Sequence, residues 1–273
     1  MIIDSLQTIV KNNPQAGNLY LRNLLKEMLQ YYTLNFVYTS VWGDQLLFKG
    51  GTCLRFCFDL PRLSEDLDFD IKKTGQFVQE KFLTDLTSYF SATWQFKDFS
   101  LKTAGNDRQI TLKFPVMKKL GLATSNDSDV LFLRIDLAPV DNEIYREEIS
   151  LKATWDFNFL IKRYSLEDLF ASKITAILNR TFKKGKNDQI TFKGRDYYDL
   201  IWFLQKGAKP NMNRLEALNK KPYSEIKKEL DEKVAEINPD YLFEDLRPLF
   251  ADEKFVREFC QNFEQLYQNL QFS

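Results

Sequence analysis

Apolar positions first fall into a helical rhythm at residues 21–38, where Leu21, Leu24, Leu25, Met28, Tyr32 and Leu34 recur near one helix face. Residues 44–48 (DQLLF) read as a short strand running into the glycine turn Lys49-Gly50-Gly51-Thr52, with a helix starting near Thr52. Residues 66–71 (DLDFDI) alternate strictly, which gives a strand with one polar and one apolar face. A helix is expected over 76–90, and strands over 109–114 and 130–137, parted by a polar loop near 121–129. Ser165-Leu166-Glu167-Asp168 matches a capping box and opens a helix to about Arg180. A basic loop (183–193) and a helix from Arg195 to about Gln205 follow, and residues past about 223 are mostly helical with acidic faces. The expected fold is α+β, a small mixed sheet with flanking helices and a helical C-terminal half. Its segments are an N-terminal helical piece (1–38), an α/β core (39–161) and a helical domain (162–273).

Composition narrows the chemistry. The 273 residues are 44% hydrophobic and 28% charged, as in a globular protein with a sizeable core. No apolar run is long enough to span a membrane, and Met1-Ile2-Ile3-Asp4 lacks the order of a signal peptide, so a cytoplasmic protein is expected. Three cysteines are too few and odd in number for a disulfide framework; Cys53 and Cys57, four apart, read as buried small hydrophobes. The decisive count is zero histidine. It excludes Ser-His-Asp and Cys-His catalysis and His-ligated metal, and leaves carboxylate chemistry, for which Mg²⁺ or Mn²⁺ is the fitting ion.

Net charge is zero, 38 basic against 38 acidic residues, but it is unevenly laid out. Residues 162–228 hold 16 Lys/Arg against 7 Asp/Glu, and residues 229–273 hold 4 against 11. The middle block, including Lys183, Lys184 and Lys186, suits either a polyanion or a solvated helical surface.

Asp66 and Asp68 lie two apart on a strand and so project from one face, where a divalent cation would relieve their repulsion; a solvated edge-strand face is the structural alternative. Asp70 shares the parity but stands ~13 Å from Asp66 along the strand, too far for the same ion. Upstream, the backbone N–H groups of Gly50, Gly51 and Thr52 can approach a phosphate closely, and Arg62 and Ser64 are placed to reach phosphate oxygens.

Together the run FKGGTCLRFCFDLPRLSEDLDFDI (48–71) resembles the AbiEii toxin family, which includes the MenT toxins, within the nucleotidyltransferase superfamily. The resemblance rests on the Gly-Gly turn followed by the Asp-x-Asp strand, and on Arg62-x-Ser64-x-Asp66-x-Asp68. Two further motifs fit it: Lys173 in FASKITAIL, and the helix Arg195-Asp196-Tyr197-Tyr198-Asp199. Similarity runs from about residue 20 to 205. One departure is Gly194-Arg195-Asp196 where some members carry Arg-x-Lys-Asp.

The remaining candidates each have a structural explanation beside the functional one. Lys173 interrupts the stripe Leu166, Leu169, Phe170, Ile174, Ile177, and an inward lysine needs an anion unless it snorkels to water. Asp196 and Asp199 share a helix face, where acidic residues also favour the macrodipole, and Arg195 can pair with Asp199. Asp136, within LFLRIDL, corresponds to the superfamily's third carboxylate and is the expected base; an ion pair with Arg134 is the rival account. The resemblance implies a toxin of a toxin–antitoxin or phage-defence pair that moves a nucleoside monophosphate from an NTP to a hydroxyl. Asp66, Asp68 and Asp136 would hold the metal, and Gly50, Gly51, Thr52, Arg62, Ser64 and Lys173 the nucleotide, with Asp196 and Asp199 orienting the nucleotide or Lys173; Lys173 and Asp196 join the three aspartates as the expected catalytic residues. In related members the acceptor is the 3′ end of tRNA. A protein or small-molecule acceptor, or nucleotide binding without turnover, are the alternatives, and an antitoxin is the expected partner.

Overall fold

The computed structural model describes residues 2–105, 108–180 and 192–270, and the chain divides into two compact units. The first is Met1–Val140 with Glu148–Arg163; the second is Asp141–Glu147 with Tyr164–Ser273. Lys183, Lys184 and Lys186, with most of the expected basic loop, lie outside the described residues.

In the first unit, α1 (Ile2–Asn12) and α2 (Asn18–Tyr38) precede β1 (Leu46–Lys49), α3 (Gly50–Phe58), β2 (Asp66–Ile71) and α4 (Gln79–Ser88). Then come β3 (Ser100–Ala104), β4 (Gln109–Pro115), β5 (Val130–Pro139), β6 (Glu147–Ala153) and β7 (Asn158–Tyr164). The seven strands form one mixed sheet in the order β3-β4-β5-β2-β1-β7-β6. β2 runs antiparallel to β1 and parallel to β5, so it sits in the middle of the sheet. Its apolar side chains, Leu67 and Phe69, are fully buried beside Ile135 and Leu137 of β5. Each such burial stabilises by about 1.5–3 kcal/mol, enough to fix the strand's facing and hence where its aspartates point.

α2 begins three residues earlier than its leucine spacing suggests and buries Leu21, Leu25, Leu29, Leu34 and Val37. α3 starts at Gly50, two residues before Thr52, directly after the extended Lys49. The mixed α/β class stands, with a larger sheet than the periodicity suggests. Cys53 is buried and Cys57 partly so, both as free thiols.

The second unit is helical: α5 (Leu166–Asn179), α6 (Gly194–Gln205), α7 (Met212–Asn219), α8 (Tyr223–Ala235), α9 (Pro239–Leu246), α10 (Glu253–Gln261) and α11 (Phe263–Asn269). Ser165 caps α5 as expected, its hydroxyl accepting from Asp168 N at 3.2 Å. Phe170 of α5 stacks on Phe203 of α6 at 4.3 Å. Arg214, almost wholly buried, ties residues 141–142 to this unit through Asp141 at 2.8 Å and Asn142 at 2.9 Å.

Candidate active site

The glycine turn and the aspartate strand are built against each other. Gly50 has φ +77°, a conformation that side chains resist. A Cβ there would lie 2.9 Å from Asp68 Cγ, so the missing side chain makes room for the Asp68 carboxylate. A Cβ on Gly51 would meet Arg62 Nη2 at 2.5 Å and Ser64 Oγ at 3.1 Å. The spacing from Gly-Gly through Arg-x-Ser to Asp-x-Asp is thus a packing unit. Gly50→Ala is expected to cost about 1–3 kcal/mol from strain and crowding, read as a lowered urea midpoint.

Neighbouring side chains fix the loop between α3 and β2. Thr52 is buried and its hydroxyl donates to Asp66 O, which leaves its backbone N–H as the group near the turn. Arg62 is 1% exposed, donates to Leu63 O at 2.9 Å and is packed inside, close to Gly51. Gln30 of α2 donates to Ser64 O at 2.9 Å, and Glu27 holds Arg55 of α3 at 2.8 Å. Neither Gln30 nor Glu27 belongs to a motif of the sequence, although a glutamine within an apolar helix stripe is a visible signal.

Register then sets the acidic face. Asp68 is the direct partner of Asp136 across β2 and β5, and Asp66 that of Arg134. All four lie on the face opposite Leu67, Phe69, Ile135 and Leu137, and all are partly exposed. Arg134 Nη2 contacts Asp66 Oδ2 at 2.7 Å and its Nε lies 3.1 Å from Asp136 Oδ2. Asp70 is fully buried and pairs with Lys49 at 2.5 Å.

Carboxylate oxygens alone make a donor set suited in kind to a hard divalent cation. Among the described residues, no group of three or more His, Cys, Asp or Glu stands in an arrangement that could hold a metal ion. The positive charge between Asp66 and Asp136 is the Arg134 guanidinium.

Lys173, Asp196 and Asp199 meet in the second unit. Lys173 Nζ lies 2.8 Å from both Asp196 Oδ1 and Asp199 Oδ2, and Arg180 also pairs with Asp196. The anion that an inward lysine requires is therefore supplied from α6. Burial opposes ionisation of Asp196, but Lys173 and Arg180 outweigh it and hold its pKa at about 2. A depressed carboxylate stabilises above its unfolded value of 3.8, and the contribution disappears as pH falls toward 2. It amounts to about 2 kcal/mol. Unfolding free energies measured from pH 5 to pH 2 are expected to fall more steeply for the native chain than for Asp196→Asn.

A family model for the AbiEii nucleotidyl transferase toxins of type IV toxin–antitoxin systems matches residues 35–268. The chain belongs to this family. As an AbiEii protein it is a nucleotidyltransferase toxin whose system includes an antitoxin. Among solved structures it is similar to JHP933 from Helicobacter pylori, at 16% identity over 91% of each chain and TM-score 0.49. It is also similar to a candidate nucleotidyltransferase from H. pylori, at 17% identity over 90% of this chain and 93% of that one, TM-score 0.47. No curated protein matches. No described helix is long and apolar enough to cross a membrane.

Proposed function

We propose that this AbiEii protein transfers a nucleoside monophosphate from an NTP to the 3′-terminal hydroxyl of tRNA in the cytoplasm. The observation that carries the reading is one sheet face bearing Asp66, Asp68 and Asp136, with Asp68 seated on Gly50 at the start of α3. The backbone N–H groups of Gly50, Gly51 and Thr52 bind phosphate oxygens, aided by the positive end of the helix. Arg62 and Ser64, packed against Gly51, shape this cradle. Asp66, Asp68 and Asp136 would hold Mg²⁺ or Mn²⁺ once Arg134 is displaced from between them. The ion supplies charge stabilisation for the phosphoryl group and the leaving pyrophosphate.

Asp136 takes the proton from the acceptor hydroxyl, whose oxygen bonds to the α-phosphorus as the bond to pyrophosphate breaks. The resemblance gives Lys173 a share in holding the nucleotide, and Asp196 and Asp199 a share in orienting the nucleotide or Lys173. The basic composition of residues 162–228 suits a tRNA backbone, since phosphate contacts dominate such affinity. An antitoxin counters the activity.

Incubation with each of the four labelled NTPs, together with total tRNA, total protein or aminoglycosides, tests the proposal. Label in tRNA supports it. Label in protein or in the small molecules moves the acceptor, and nucleotide binding without label in any fraction replaces transfer by a binding role.

A further inference from the structure

The two edges of the sheet are finished differently. β3 at one end exposes Ser100, Lys102 and Ala104, and a lysine on an edge strand discourages pairing. β6 at the other end exposes Ile149 and Leu151, at 59% and 65%. Leu160 of β7 adds to the apolar surface at 55%, and Trp155 at the hairpin tip is fully exposed. An edge strand with apolar side chains and open backbone groups is a template for another strand.

We propose that β6 pairs antiparallel with β6 of a second copy of this chain, about a twofold axis through Ser150, forming a symmetric dimer. The sequence of the strand is complementary to itself in that register. Glu148-Ile149-Ser150-Leu151-Lys152, laid against its own reverse, sets Ile149 opposite Leu151 twice on the exposed face. On the other face Glu148 stands opposite Lys152 twice, and no like charges meet. Within its own chain Glu148 also pairs with Arg163 at 2.7 Å, and Lys152 donates to Phe56 O at 3.2 Å, so both side chains are already steadied for the second contact. Moving the register two residues toward the N-terminus would instead place Glu147 against Leu151. A self-complementary patch of this kind closes on itself as an isologous interface.

Sedimentation velocity of the full chain over a range of concentrations tests this, and the weight-average mass is expected to rise from 32.3 kDa toward twice that value. Ile149→Glu and Leu151→Lys each are expected to weaken self-association roughly tenfold or more by putting a charge against an apolar partner. The combined I149E/L151K chain is expected to recover association, because position 149 faces position 151 of the copy with opposite charge. Both positions are exposed, so circular dichroism, and thermal unfolding at concentrations where the chain is monomeric, are expected to stay unchanged. A mass that remains monomeric at every concentration overturns the proposal. A dimer that ignores the single substitutions, or that the combined chain fails to restore, overturns it equally.

Discussion

Asp66→Asn and Asp68→Asn, made together, are expected to lower nucleotide transfer by about a thousandfold or more, since phosphoryl transfer depends above all on stabilising the charge that develops in the transition state. The paired substitution keeps shape and removes two negative charges from one sheet face. Asp66 sits at the end of the ion pair to Arg134, and both groups are partly exposed. Loss of such a pair costs only about 0–1 kcal/mol, so the doubly substituted chain is expected to fold and unfold nearly as the native one does. Growth arrest on expression is expected to disappear with the activity. Transfer that stays within tenfold of native, in a chain that still melts normally, would remove the carboxylates from the chemistry. Chelation of divalent ions is expected to stop the native reaction and to leave the substituted chain at its residual rate.

The parity of Asp66 and Asp68 was legible because alternation within one strand is a local property, and Leu67 and Phe69 fix which side is inward. Their meeting with Asp136 was expected only from the family resemblance and could not be read from the two segments themselves. It depends on which residue of β5 lies beside which residue of β2, and pairing between strands so distant in sequence leaves no mark in either segment. For the same reason Arg134 could be named as a rival partner of Asp136 but not as the bridge that also reaches Asp66.

The hairpin of β6 and β7 escaped for another reason. β6 exposes its apolar residues and half-buries Glu148, Ser150 and Lys152, which reverses the usual relation between hydrophobicity and burial. Arg62 shows the limit of reasoning by residue type. A guanidinium just before two aspartates suggested a phosphate contact, but its burial against Gly51 carries no mark in the residue type.

Lys173→Met is expected to be strongly destabilising in the helical unit. It keeps the length and apolar stem of the side chain but removes an ammonium from between Asp196 and Asp199, two carboxylates that are almost entirely buried. Breaking a buried pair by deleting one partner costs about 3–5 kcal/mol, because a desolvated charge is left without its compensation. That corresponds to a drop of roughly ten degrees in melting temperature for a chain of this size. Arg180 still touches Asp196, which offsets part of the loss there. The chain carrying Lys173→Met with Asp196→Asn and Asp199→Asn is expected to regain much of the loss, since neutral amides tolerate burial without an ammonium. If Lys173→Met melts within about 1 kcal/mol of the native chain, the ion pairs contribute little to holding α5 against α6. If the triple substitution is less stable than Lys173→Met alone, the penalty comes from lost packing or hydrogen bonds rather than from unpaired charge.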